Sequence, residues 1–129
     1  MYKQDLASSS LSKRLSPQLQ QVLDERIRVP LAKIAEFCDR WKIVEFSLFG
    51  SVLRDDFRCD SDIDVMVQFH REAHPTFYTL EQMEAELKTI FNRDIDVITR
   101  YGIETSRNYL RRQEILSSAQ VIYATGYSI

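Results

Sequence analysis

The strictest constraint on this chain is an alternation. From Asp62 to Phe69 the residues read DIDVMVQF, with Ile63, Val65, Val67 and Phe69 two apart. Successive side chains of a β-strand point to opposite faces, so these four share one face and Asp62, Asp64, Met66 and Gln68 share the other. The two carboxylates therefore point the same way. At about 3.3 Å of rise per residue their Cα atoms stand roughly 6.6 Å apart, near enough for the carboxyl oxygens to converge on one or two cations and to repel each other without them. An oxygen-only donor set suits a hard ion such as Mg²⁺, which keeps waters and phosphate oxygens in its remaining positions. Upstream, IVEFSLF over 43–49 reads as a strand and runs directly into Gly50-Ser51, with a ten-residue loop between Ser51 and Asp62. Glycine there lets the backbone come close to a ligand, Ser51 sets a hydroxyl beside it, and a helix starting at this point would offer free N–H groups to phosphate.

Composition removes other classes of function. With 129 residues, 44% of them hydrophobic, the chain makes one small domain with a real core. Seventeen Lys and Arg against nineteen Asp and Glu leave a formal charge of −2, so a broad contact with a nucleic-acid backbone is not expected. Cys38 and Cys59 form no paired spacing of the zinc or disulfide kind, which fits a reducing, cytoplasmic setting. No apolar run approaches the ~20 residues that cross a membrane, and the first residues lack the apolar centre of a signal peptide.

Taken in order, residues 1–15 are polar and serine-rich and are expected to form a mobile arm or a short partner-dependent helix, with a single domain over 16–129. Ser16-Pro17 is a helix start, and Leu19, Val22, Leu23 and Ile27 give a face to a helix over 17–28. Pro30 restarts it, and Leu31, Ile34, Phe37, Cys38 and Trp41 stripe a second helix over 30–41. After the strands at 43–49 and 62–69, Phe77, Leu80, Met83, Leu87, Ile90 and Phe91 predict a helix over 76–91, with Glu84 as a polar intruder in its apolar face. DIDVIT then forms a third strand, with Ile95 and Val97 on one face and Asp94, Asp96 and Ile98 on the other. Residues 105–118 read as a helix capped by Thr105 or Ser106, and 120–124 as a short edge strand. The fold class is α/β (α+β), a small mixed sheet carrying helices, because the first two strands lie too close together for a helical crossover.

LFGSVLRDDFRCDSDIDVMV, followed about thirty residues on by IDVI, resembles the minimal nucleotidyltransferases of the DNA polymerase β superfamily. Their signature is Gly-Ser, ten residues, Asp-x-Asp, and a third Asp on a later strand; Gly50, Ser51, Asp62, Asp64 and Asp96 match it in order, and the likeness covers roughly residues 31 to 125. Many relatives carry Gly after the loop arginine, where this chain has Asp55-Asp56-Phe57. The resemblance implies two Mg²⁺ ions about 3.5 to 4 Å apart on the α-phosphate of ATP, bridged by Asp62 and Asp64, with Asp96 holding the activating ion. It places Gly50 and Ser51 on the β and γ phosphates and makes Arg54 a phosphate-binding or structural candidate. Larger members hold their acceptor on added helical domains; for a chain of this size the resemblance implies a HEPN RNase toxin as partner, an antitoxin role, and transfer of AMP to a tyrosine of that toxin. Two other readings stand beside it: an antitoxin that acts by binding alone, and a small-molecule nucleotidyltransferase of the antibiotic-modifying kind.

Each residue also has a plainer reading. Asp62 alone fits a turn. His70 and His74, with Pro75 following, read as solvated loop residues rather than ligands. Arg111 and Arg112 with Tyr109 suit an exposed helix face as well as a nucleotide. Phe37, Trp41, Phe46 and Phe49 are core candidates, and nothing beside Cys59 suggests a catalytic thiol.

Overall fold

The computed structural model describes residues 15–125. The 1–15 arm therefore lies outside the described residues except for Leu15, which packs against the core. The Ser16 hydroxyl accepts the Leu19 N–H at 3.1 Å and opens helix α1, Pro17–Val22. The helix then widens through a π-type turn, Leu23–Ile27, closed by the Arg28 N–H on the Leu23 carbonyl at 2.8 Å. Arg28 is left-handed at φ 60°, so the chain breaks two residues before Pro30, and α2 spans Leu31–Trp41.

Strand β1, Ile43–Phe49, runs antiparallel to β2, Ile63–Phe69. A tight turn, Gly50–Leu53, and a loop join them. Helix α3, Phe77–Phe91, begins in a reciprocal Thr76–Thr79 cap and carries the chain over to β3, Ile95–Thr99, parallel to β2. Strand β4, Gln120–Ala124, pairs antiparallel with β1, giving the order β3-β2-β1-β4. The mixed α/β sheet is the one expected.

One face of the sheet packs on α1, α2 and α3. Ile34, Phe37, Phe46, Leu48, Val65, Val67, Met83 and Leu87 are all buried there, and each such side chain contributes about 1.5–3 kcal/mol by leaving water. Phe37 meets the Phe46 ring edge-on at 6.4 Å. Trp41 donates its indole N–H to Glu86 at 2.9 Å, and Arg40 forms an ion pair with the same carboxylate, tying α2 to α3. Glu84 is no accident in the apolar face of α3: its carboxylate accepts the outward Val97 N–H of edge strand β3 at 3.3 Å.

The helix expected over 105–118 is corrected. A short helix α4, Arg100–Glu104, comes first, and α5 spans Tyr109–Ser118. Thr99 caps α4 by accepting the Gly102 N–H at 3.0 Å, while the Thr105 hydroxyl donates back to the Tyr101 carbonyl at 2.8 Å and so ends α4 instead of starting α5. Asn108 is the true cap, accepting the Arg111 N–H at 3.1 Å. These helices cover the second face of the sheet, where Phe49, Met66, Ile103 and Ile115 form a smaller core. Met66 thus shares the acids' face but is buried.

Candidate functional site

Because β1 runs antiparallel to β2 and β3 runs parallel to it, the end of β1 and the starts of β2 and β3 meet at one end of the sheet. Phe49 pairs with Asp64, and Asp64 with Asp96, so these two carboxylates stand on neighbouring strands in register and on the same face. Asp62 precedes Ile63, whose N–H donates to the Asp94 carbonyl at 3.0 Å and joins the two acidic strands at their mouths. Gly50 has φ +79°, and a Cβ there would stand 2.2 Å from Oδ2 of Asp64. Only glycine fits both demands. Ser51 lies half-buried in the following turn.

The charges are unbalanced. Burial, then the neighbouring Asp96 and Asp62 carboxylates, raise the Asp64 pKa above the ordinary carboxylate range; Arg54 and Arg111 pull it back. Among the described residues no hydrogen bond or ion pair satisfies the side chains of Asp62, Asp64, Asp96 or Ser51. Carboxylates that raise one another's proton affinity without a partner mark a candidate functional site. Among the described residues no group of three or more His, Cys, Asp or Glu side chains stands in a geometry that could by itself hold a metal ion. By donor chemistry alone, oxygen-only side chains would suit a hard ion such as Mg²⁺, which dehydrates reluctantly and would need phosphate oxygens or waters to complete its shell here.

Arg54 is exposed, 3.3 Å from Asp56, and its charge acts on Asp64. The structure also separates the Arg111-Arg112 pair, which the sequence leaves together. Arg112 stacks on Tyr109 at 5.0 Å and donates to the Glu104 carbonyl. Arg111 lies one helical turn before buried Ile115, which packs with Phe49 and Met66 beside the acids, and its charge reaches Asp64. His70 stays in a loop, accepting the Glu72 N–H, and His74 is exposed. Cys59 is exposed, and burial holds the Cys38 thiol far above its usual range.

A family model for the nucleotidyltransferase domain matches residues 31–122. The chain belongs to the nucleotidyltransferase domain family. The chain is 34% identical over 65 residues to the Methanocaldococcus jannaschii protein MJ1379, assigned as a protein adenylyltransferase; the match takes in 50% of the chain and 65% of the relative, so the chain spans just under two thirds of that relative's length. A solved structure assigned as a minimal nucleotidyltransferase is 26% identical, with a TM-score of 0.54 over 69% of this chain and 85% of the other. An MNT antitoxin in complex with the tri-AMPylated HEPN toxin of Shewanella oneidensis is 19% identical, with a TM-score of 0.51 over 73% and 69% of the two chains, and shares the fold. Among the described residues no helix is long and apolar enough to cross a membrane.

Proposed function

We propose that this nucleotidyltransferase is an antitoxin-type protein adenylyltransferase, moving AMP from ATP to a tyrosine hydroxyl of a cognate HEPN RNase toxin and neutralising it in the cytoplasm. The observation that carries the chemistry is Asp64, packed against Gly50 where a Cβ would be, with the Asp96 and Asp62 charges acting on it. The choice of acceptor is supported by relatives named for protein adenylylation and by a related antitoxin seen with its AMPylated toxin. Tyr109 and Leu110 stand exposed on the first turn of α5 beside Arg111, an apolar surface suited to a protein partner.

Asp62, Asp64 and Asp96 would hold Mg²⁺, Asp62 and Asp64 as shared ligands. Bound there, the metal supplies Lewis acidity at the α-phosphate and neutralises the leaving pyrophosphate. The Gly50-Ser51 backbone and the Ser51 hydroxyl grip the β and γ phosphates, and Arg54 and Arg111 add positive charge beside them. Asp96, on the edge strand, accepts the proton of the incoming hydroxyl. One bond forms from the tyrosine oxygen to the α-phosphorus, and the bond from that phosphorus to pyrophosphate breaks. Little else is required, since phosphoryl transfer depends mostly on position and charge.

The test is incubation with the HEPN partner, Mg²⁺, and ATP labelled on either the α or the γ phosphate. Label from the α position on the partner is expected, and none from the γ position. Label from the γ position would make the protein a kinase and sink the proposal.

A further inference from the structure

The loop that joins Ser51 to Asp62 is held from behind by two arginines from distant parts of the chain. Arg26, in the π-type turn after α1, donates Nη1 to the Val52 carbonyl at 2.9 Å and also to the Arg54 carbonyl. Arg93, just before β3, donates Nη1 to the Arg58 carbonyl at 3.0 Å and the Ser61 carbonyl at 2.8 Å. Both guanidinium groups lie over one ring, that of Phe57, at 5.6 and 4.6 Å from its centroid. Arg58–Ser61 is itself a closed turn, with the Ser61 N–H on the Arg58 carbonyl and the Arg58 N–H on the Ser61 hydroxyl. Asp62 is therefore bracketed. Its preceding carbonyl is held by Arg93, and the next N–H, that of Ile63, by the carbonyl of Asp94. Residues 93 and 94 lead directly into Asp96.

We propose that Arg93 is a positioning residue that fixes Asp62 at the mouth of β2, beside the Asp64–Asp96 pair, with Phe57 and Arg26 holding the rest of the loop against it. The proposal rests on the adenylyltransferase reading for its meaning in catalysis, but the positioning can be measured without transfer. None of these three side chains touches the reacting atoms. They act on where one acid stands relative to another, and groups that orient metal ligands in this way change metal affinity or activity by roughly 10- to 100-fold. Charge alone does not explain the arrangement, because the guanidinium plane is used for stacking while its nitrogen bridges two carbonyls; an ammonium group has no such plane.

The experiment measures Mn²⁺ affinity by electron paramagnetic resonance in the presence of ATP and without acceptor, for wild type, Arg93→Ala, Arg93→Lys and Phe57→Leu. Folding is checked by near-ultraviolet circular dichroism. Arg93→Ala is expected to bind Mn²⁺ about 10- to 100-fold more weakly, with Arg93→Lys intermediate and Phe57→Leu shifted in the same direction. In the transfer assay kcat should fall by a similar factor while the KM for ATP stays within about threefold, because the Gly50-Ser51 grip is not altered. Arg40→Gln, at the distant pair with Glu86, should change neither. Wild-type Mn²⁺ affinity in folded Arg93→Ala and Phe57→Leu, or full rescue by Arg93→Lys, would overturn the proposal. If wild type binds Mn²⁺ but transfers no AMP, the functional reading fails alone, and the affinities still decide the positioning role.

Discussion

At Gly50 the backbone sits at φ +79° and the space for a side chain is taken by the Asp64 carboxylate. Gly50→Ala should cost on the order of 1–3 kcal/mol, from left-handed strain and from displacing that carboxylate. Activity should fall further than stability does, as a thermal melt and the transfer assay on the same sample will show. Asp64 offers the opposite pattern. Its pKa is raised by burial and by the Asp96 and Asp62 charges, so the folded state holds its proton to a higher pH than the unfolded chain. Between about 3.9, the unfolded carboxylate value, and that higher pKa, stability declines as pH rises, and at neutral pH ionised Asp64 costs stability. Asp64→Asn is accordingly expected to melt no lower than wild type at pH 7, and higher if relief of repulsion dominates, while losing roughly 100-fold or more in transfer. A large drop in the melting temperature of Asp64→Asn would contradict this account of the charge balance.

Elements differ in how far the sequence alone reveals them. The strands around the site are readable because their apolar residues alternate, and Asp64 and Asp96 fall on neighbouring strands in register, whereas the strand expected over 62–69 begins only at Ile63 and leaves Asp62 in the loop before it. The segment from Arg100 to Asn108 is not. Thr99, Thr105, Ser106 and Asn108 are all competent caps, and only their tertiary neighbours decide that Thr99 opens α4, Thr105 closes it and Asn108 opens α5. The same blindness hid the second core, since Met66 sits among the polar positions of β2 and shows its burial only once α4 and α5 lie over it. Removing the Asn108 side chain should cost about 1 kcal/mol, the usual loss of a cap. Ile115→Ala should cost about 2–5 kcal/mol by opening a cavity next to Phe49 and Met66. Denaturant titration measures both. Because Ile115 anchors the helix that carries Arg111, its substitution should also raise the KM for ATP. A destabilised Ile115→Ala with an unchanged KM would separate α5 from nucleotide binding.

Across the molecule, the strand order β3-β2-β1-β4 turns acids that are distant in sequence into one cluster, and a crossover helix brings Asp96 beside Asp64. Sequence spacing announced that cluster, but not the supports behind it: Arg26 and Arg93 carry no motif, and their hold on the loop depends on contacts 26 to 35 residues away in the chain. One face of the sheet is the main core, the other is shared between the acids and a small apolar cover, and Tyr109 and Leu110 stand exposed on α5. The central claim, that these carboxylates catalyse transfer of AMP to a partner protein, is tested most directly by peptide mass spectrometry of the HEPN partner after incubation with ATP and Mg²⁺ and either wild type or Asp62→Asn. The account expects adenylylated tyrosine on the partner with wild type and none with Asp62→Asn. An unmodified partner that wild type nevertheless neutralises would contradict it.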